Sequence, residues 1–135
     1  MVELKWYKLN ELSFENKVPN GTQLKLKNQV KYNVNYMDDD SRCVGRLDFR
    51  VSDEEMSPFE IRVELEALFT YAPDDERPDI HTESFDQIFP FLRQIIHSTT
   101  AMSGMPGLMI PIMKLDRESV NIGKPKEDEE TSPLN

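Results

Sequence analysis

A chain of 135 residues with 38% hydrophobic composition has room for one domain with a modest core, which argues against a second domain and against a wholly disordered chain. The formal net charge of -9 argues against nucleic acid as a partner, since a phosphate backbone requires clustered Lys and Arg, and favours positively charged partners. No apolar run approaches the roughly 18 residues that span a bilayer, no signal-peptide pattern is present, and the single cysteine cannot form an internal disulfide. We therefore expect a soluble cytoplasmic protein.

The first half of the chain predicts four strands. Residues 3–14 mix apolar and charged side chains, which is typical of an edge strand. Apolar residues then occupy the even positions of 24–36 other than 28, and the odd positions of 43–51 and 59–71, with mostly polar residues between them. Polar turns separate these segments, including one at residues 38–40. The pattern predicts an edge strand followed by a meander of three strands, each with one buried and one wet face.

The second half predicts one helix after a polar loop at residues 72–84. Pro90 is expected either to begin the main helix or to kink it against a short turn at 85–88, and Gly104 is expected to end it near Ser103. The stripe predicted to be buried consists of Phe85, Ile88, Phe89, Leu92, Ile95, Ile96 and Thr99. Strands covered on one face by a helix give an α+β architecture.

The side of the helix away from this stripe carries no charge. It consists of Gln87, Phe91, Gln94, Ser98, Ala101 and Met102. A helix with an exposed face usually carries Lys and Glu there, so this neutral face either packs against another subunit or is simply a neutral surface.

After the helix, the apolar segment 105–115 is rich in methionine and is interrupted by Pro106, Gly107 and Pro111. Methionine side chains are flexible and polarizable, so such a surface can adapt to many apolar partners. The alternative is that the segment packs on the sheet edge as part of the core. Residues 1–121 form the predicted single domain, and residues 122–135 are predicted to be a disordered acidic tail.

The residues that could support catalysis do not form a constellation. His81 is predicted in a loop and His97 on the charged sector of the helix, both solvated. Cys43 lies in the apolar register of its strand, which favours a buried thiol over a nucleophile. The acidic run at 38–40 lacks the remainder of a calcium loop and is expected to be a hairpin turn. The sequence therefore predicts no enzyme, no metal and no cofactor.

Four short motifs in order resemble the SecB family of bacterial export chaperones. They are YKLNELSFE at residues 7–15, EALFTY at 66–71, IFPFLR at 88–93 and GMPGL at 104–108, the last followed by Pro111. Together they cover roughly residues 5 to 116 in the order and close to the spacing of the family. The Phe-Pro-Phe helix motif with the glycine and prolines after the helix is the most specific part.

The resemblance implies a four-stranded antiparallel sheet, a crossover after the first strand, one long helix and a dimer of dimers with helices between the dimers. In the family, the crossover and the segment after the helix border grooves that hold unfolded polypeptides. The matching positions here are Leu24, Leu26, Met105, Leu108, Met109, Ile110 and Ile112. Assembly through the helix would use Phe91, Gln94, Ser98, Ala101 and Met102.

The resemblance also implies docking of the translocation motor SecA through acids on the outer sheet face, which match Glu11 and Glu15. This chain departs from the pattern at Arg62, which replaces a third acid and would repel a basic docking tail. It also departs after residue 115, where the family's second helix is reduced or absent. The expected function is that of a SecB-like holdase for unfolded polypeptides, and the alternative is a scaffold or adaptor that recognises one folded partner.

Overall fold

The computed structural model describes residues 1–37, 41–53, 58–115 and 133–134. The predicted turn at 38–40 and most of the predicted tail, residues 122–132 and 135, lie outside the described residues. The elements are β1 (Glu3–Asn16), β2 (Leu26–Met37), β3 (Arg42–Asp53), β4 (Phe59–Thr70), α1 (Arg77–Met102) and the two-residue strand β5 (Pro133–Leu134).

The strands form one antiparallel sheet in the order β1-β4-β3-β2-β5. The strands β2, β3 and β4 are the predicted meander. Residues 17–25 form a crossover from β1, at one edge, to β2 at the other side of the sheet. The structure therefore confirms the α+β fold with four main antiparallel strands, a crossover after the first strand and one long helix.

The core lies between the sheet and α1. Because side chains alternate across a strand, β3 and β4 bury one face along their length, and β2 buries the same face from Leu26 to Tyr32. The large residues Tyr32, Phe49 and Phe69 on that face are 0% exposed. The helix covers this face with its apolar stripe, which is buried at Phe85, Ile88, Phe89, Leu92 and Ile96. Phe89 meets Phe49 edge-on, with ring centroids 6.1 Å apart.

The helix begins at Arg77, so the prediction of a polar loop through residue 84 is wrong for its second half. Pro78 lies in the first turn, where its missing N–H has no helical partner to lose. Ile80 and Ser84 then extend the buried stripe towards the N-terminus. Pro90 lies inside the helix on its exposed side and does not begin it.

The two histidines differ in their burial. Because the helix begins early, His81 faces the core, where it is 4% exposed with its ring centroid 5.1 Å from that of Tyr32, so the prediction that it is solvated in a loop is wrong. His97 is exposed, as predicted.

Cys43 is buried, as predicted, and burial raises the pKa of its thiol to about 12.

One polar residue interrupts the apolar face of β2. Asn28 is 0% exposed, and neither atom of its side-chain amide has a hydrogen-bond partner among the described residues.

The described part of the chain contains no cluster of His, Cys, Asp and Glu that could hold a metal ion. It also contains no helix with both the length and the apolar character that a membrane crossing requires.

Candidate binding groove

A groove of about 450 Å³ lies where the crossover meets the turn after α1. We call it the crossover groove. One side is formed by Asn16 and crossover residues 18–22 together with Leu24, and the other by residues 104–106. Its volume is in the range of sites that enclose small ligands or a few side chains.

The backbone conformation that shapes the crossover groove depends on two glycines. Gly21 and Gly104 have φ values of +84° and +99°, which residues with a Cβ rarely adopt. Gly21 turns the crossover back on itself, while Gly104 ends the helix and directs the chain across to Met105. There the Asn16 side-chain amide donates to the Met105 sulfur at 3.8 Å, which links the two sides.

Residues 105–115, which we call the return segment, run back along α1 in the opposite direction. The Leu108 N–H donates to Thr100 Oγ1 at 2.8 Å, and Arg93 Nε donates to the Ile110 carbonyl at 2.7 Å. Further along, the Lys114 ammonium lies 3.8 Å from the Asp86 carboxylate. These contacts hold an irregular, proline-containing segment in one position on the helix.

The residues predicted to bind clients differ in their exposure. Leu24 and Met105 line the crossover groove, and Met109 and Ile112 are 64% and 69% exposed on the return segment. Leu108 is half-buried against the core. The side chains of Leu26 and Ile110, at 4% and 1% exposed, belong to the core instead. The methionine-rich segment therefore packs partly against the core and leaves other side chains exposed, and client binding by these residues stays a prediction.

A second groove of about 440 Å³ lies between α1 and the return segment. It is lined by Pro90, Arg93, Gln94, His97, Met109 and Ile110. The sequence did not indicate this groove, because Arg93 and His97 come from the helix sector that was expected to be solvated. Met109 therefore lines a groove other than the crossover groove.

Most residues predicted for assembly lie on one exposed face of α1. Gln94, Ser98, Ala101 and Met102 are exposed, whereas Phe91 is half-buried. Gln87, from the same neutral face, instead binds the start of the chain, donating to the Val2 carbonyl at 2.6 Å and accepting from the Leu4 N–H at 2.8 Å.

Edge strand β1 extends this face with apolar side chains that the sequence analysis did not assign. Tyr7 stacks on Phe91 with ring centroids 4.4 Å apart. Tyr7, Leu9 and Leu12 share the helix side of the sheet and are 39%, 42% and 41% exposed. The sequence could have indicated this surface, because apolar residues on an uncovered face of a strand are typical of a contact surface. We call these three residues with Phe91 and Met102 the apolar face.

The acids predicted to dock a motor are both paired within the chain. Glu11 lies 3.7 Å from Arg62, whose guanidinium also makes two hydrogen bonds to Asp48, at 2.8 and 3.3 Å. These bonds raise the pKa of Arg62 above its ordinary value. Glu15 lies 3.5 Å from Lys17. Docking of SecA through Glu11 and Glu15 stays a prediction.

Comparison with known proteins connects this arrangement to one fold. No family model and no curated protein sequence matches the chain. Among solved structures, a SecB-like chaperone of Mycobacterium tuberculosis, in complex with a ChAD peptide from the HigA1 antitoxin, superposes with a TM-score of 0.69 at 16% identity, covering 83% of this chain and 90% of that one. A protein of unknown function from Streptococcus agalactiae matches with a TM-score of 0.51 at 11% identity, covering 83% and 98%. The chain therefore has a SecB-like fold.

Proposed function

We propose, from the SecB-like fold, that the protein is a cytoplasmic holdase that binds unfolded or export-bound polypeptides without catalysis, cofactor or metal. The observation that carries the proposal is the crossover groove, in which Leu24 from the crossover and Met105 from the return segment line one space of about 450 Å³. Met109 and Ile112 are exposed farther along the return segment. An extended chain can lie along such a surface and insert apolar side chains into the groove.

The chemistry of this surface suits weak binding to many sequences. Burial of client side chains contributes about 25 cal/mol per Å², and the loss of client chain entropy opposes it. Methionine side chains adopt several shapes at small cost, so Met105 and Met109 can accommodate different residues. The net charge of -9 favours basic clients and keeps loaded complexes soluble.

The proposal includes a homo-oligomer, a dimer or a dimer of dimers, assembled through the apolar face and α1. Tyr7, Leu9 and Leu12 line an exposed strip beside Phe91, and β1 is the edge strand there. An open edge with apolar side chains is commonly covered by another chain.

The solution mass measured by light scattering is expected to exceed that of one chain. Leu9→Lys is expected to lower it, and a monomeric wild type would contradict the assembly.

A second candidate is an adaptor that recognises one specific partner. It is favoured by the M. tuberculosis neighbour, which is a SecB-like chaperone in complex with a peptide from one antitoxin. Affinity purification from the source cells distinguishes the two. One stoichiometric folded protein supports the adaptor, and a broad set of unfolded chains supports the holdase.

The holdase is tested by suppression of aggregation of a chemically denatured protein diluted into buffer. Wild type in stoichiometric excess is expected to suppress light scattering, and Met109→Asp to suppress it less, because a carboxylate on the binding surface must be desolvated when a client binds. Met37→Asp is the matched control, since Met37 is 40% exposed at the far end of β2. No protection by wild type, with Met109→Asp behaving identically, would overturn the proposal.

A further inference from the structure

The second groove, between α1 and the return segment, differs from the crossover groove in its charge. All the residues that line the crossover groove are uncharged, whereas the second groove has Arg93 as the one Lys, Arg, Asp or Glu among its lining residues. Pro90, Met109 and Ile110 give it apolar walls. A guanidinium beside apolar side chains suits a ligand that combines a carboxylate with an apolar group.

Arg93 is oriented in this groove by one of its five N–H groups. Its Nε donates to the Ile110 carbonyl at 2.7 Å, and its side chain is half-buried. Within the described part of the chain, its terminal nitrogens make no hydrogen bond and no ion pair. They can therefore bind both oxygens of one carboxylate, the arrangement in which arginine is most selective.

The groove continues along α1 towards Asp86, two turns before Arg93. An adjoining space of about 120 Å³ is lined by Asp86 and shares Pro90 and Arg93 with the second groove. The Asp86 carboxylate lies 3.8 Å from the Lys114 ammonium. Pro90 has no N–H to donate to the Asp86 carbonyl, which can instead accept from a bound chain. An extended polypeptide therefore has a backbone acceptor near the guanidinium.

On the other side of Arg93, His97 packs against the backbone of the return segment. A Cβ added at Gly107 would lie 2.5 Å from His97 Nε2, so only glycine allows this approach without a shift of the ring. The contact fixes the return segment relative to the helix. A groove whose walls are held in this way binds its ligand with a smaller loss of entropy.

We propose that the second groove is a client subsite for an Asp or Glu side chain that stands next to a large apolar residue in an extended polypeptide, with Arg93 as the carboxylate-binding residue. This inference rests on the proposed holdase function and adds a sequence preference to it. The net charge of -9 opposes acidic clients at long range. At 0.15 M salt the Debye length is about 8 Å, so distant acids are largely screened, whereas a direct contact with Arg93 is not.

The test measures the Kd of two peptides by fluorescence anisotropy at 0.15 M salt. Both peptides alternate Leu and Ser and have capped termini, and one carries a central Glu where the other carries Gln. Wild type is expected to bind the Glu peptide about fivefold more tightly, as for a half-exposed charge pair. Arg93→Gln is expected to bind both peptides equally. Arg46→Gln makes the same change of charge at an exposed position of β3 and should keep the preference.

The ratio of the two Kd values separates recognition of the carboxylate from damage to the groove. Arg93→Gln also loses the hydrogen bond to the Ile110 carbonyl, and the Gln peptide reports that loss. Gln94→Glu is a second variant that leaves Arg93 in place. It puts a competing carboxylate on a residue that lines the groove, so it should also bring the ratio close to one.

The outcomes distinguish this inference from the holdase proposal. A wild type that does not bind the Glu peptide more tightly than the Gln peptide would overturn the inference, as would a ratio that is unchanged in Arg93→Gln and Gln94→Glu. Suppression of aggregation by the same wild-type preparation then decides separately whether the holdase stands.

Discussion

Asn28 is a polar residue in a place where the sheet is otherwise apolar. Its amide is fully buried between Leu26 and Val30 on β2, and neither atom has a hydrogen-bond partner in the part of the chain that the structure describes. Leaving a buried polar group unpaired costs about 1–3 kcal/mol. The apolar side of β2 could be predicted from its period of two, but the missing partners could not, because they depend on what packs above the strand.

The variant Asn28→Leu is expected to raise the free energy of unfolding by about 1 kcal/mol, because it replaces the unpaired amide with an apolar side chain of similar shape. Urea unfolding measures the change. Asn35→Leu, at an exposed position of the same strand, is the control and should alter the stability by less than about 0.5 kcal/mol. A clear loss of stability in Asn28→Leu would show that the amide has a role in the native structure.

Cys43 predicts a dependence of stability on pH. Burial raises the pKa of its thiol from 9.0 to about 12, so the folded protein keeps the proton that the unfolded chain releases. Below about pH 9 both states are protonated and Cys43 contributes no slope; as the pH rises from 9 towards 12 it lowers the free energy of unfolding. Urea titrations near pH 8 and near pH 10 are expected to show a smaller loss for Cys43→Ala than for wild type. Equal losses would contradict the assignment.

Among the secondary-structure elements, the strands were the easier to predict and the return segment the harder. Alternation of apolar and polar residues identified β2, β3 and β4 to within a few residues. The start of α1 was missed because His81 and Ser84 are polar and yet face the core, where Tyr32 donates a hydrogen bond to Ser84 at 2.6 Å. Ile80 and Pro78 were the available signals for the earlier start.

The return segment has no period, since proline and glycine interrupt it, and its residues alternate between core and surface. Composition indicated that it was apolar but could not say which side chains were exposed. Its position depends on side chains of α1, Thr100 above all, whose buried hydroxyl donates to the Ile96 carbonyl and accepts from the Leu108 N–H, both at 2.8 Å. That hydrogen bond joins residues eight positions apart, beyond what local patterns can predict.

The variant Thr100→Val keeps the shape of the side chain but removes its hydroxyl, so the Leu108 N–H loses its partner. We expect a loss of about 1–3 kcal/mol in the free energy of unfolding and faster hydrogen exchange at Leu108. Because the return segment forms one side of the crossover groove, client affinity should also fall. Thr100→Ser retains the hydroxyl and should preserve most of the exchange protection. Unchanged exchange in Thr100→Val would mean that other contacts hold the segment.

At the scale of the whole molecule, the described structure combines a covered sheet face with apolar surfaces that the helix leaves open. The crossover groove is open at one end of the sheet, and the apolar face lies along β1 and α1. In the proposed function, the crossover groove binds clients and the apolar face binds a second copy of the chain. Charge balance and chain length predicted a single soluble domain, but the separation of the two surfaces depends on the tertiary arrangement.

The central claim is that clients bind at the crossover groove and the exposed part of the return segment. The methyl groups of the methionines are local probes for it, and their NMR signals can be followed while an unfolded polypeptide is added. We expect the signals of Met105 and Met109 to shift or broaden with saturation, because Met105 lines the crossover groove and Met109 is 64% exposed on the return segment. The signal of Met37, at the far end of β2, should stay in place. Shifts at Met37 without shifts at Met105 and Met109, or no saturable change at any methionine, would contradict the account.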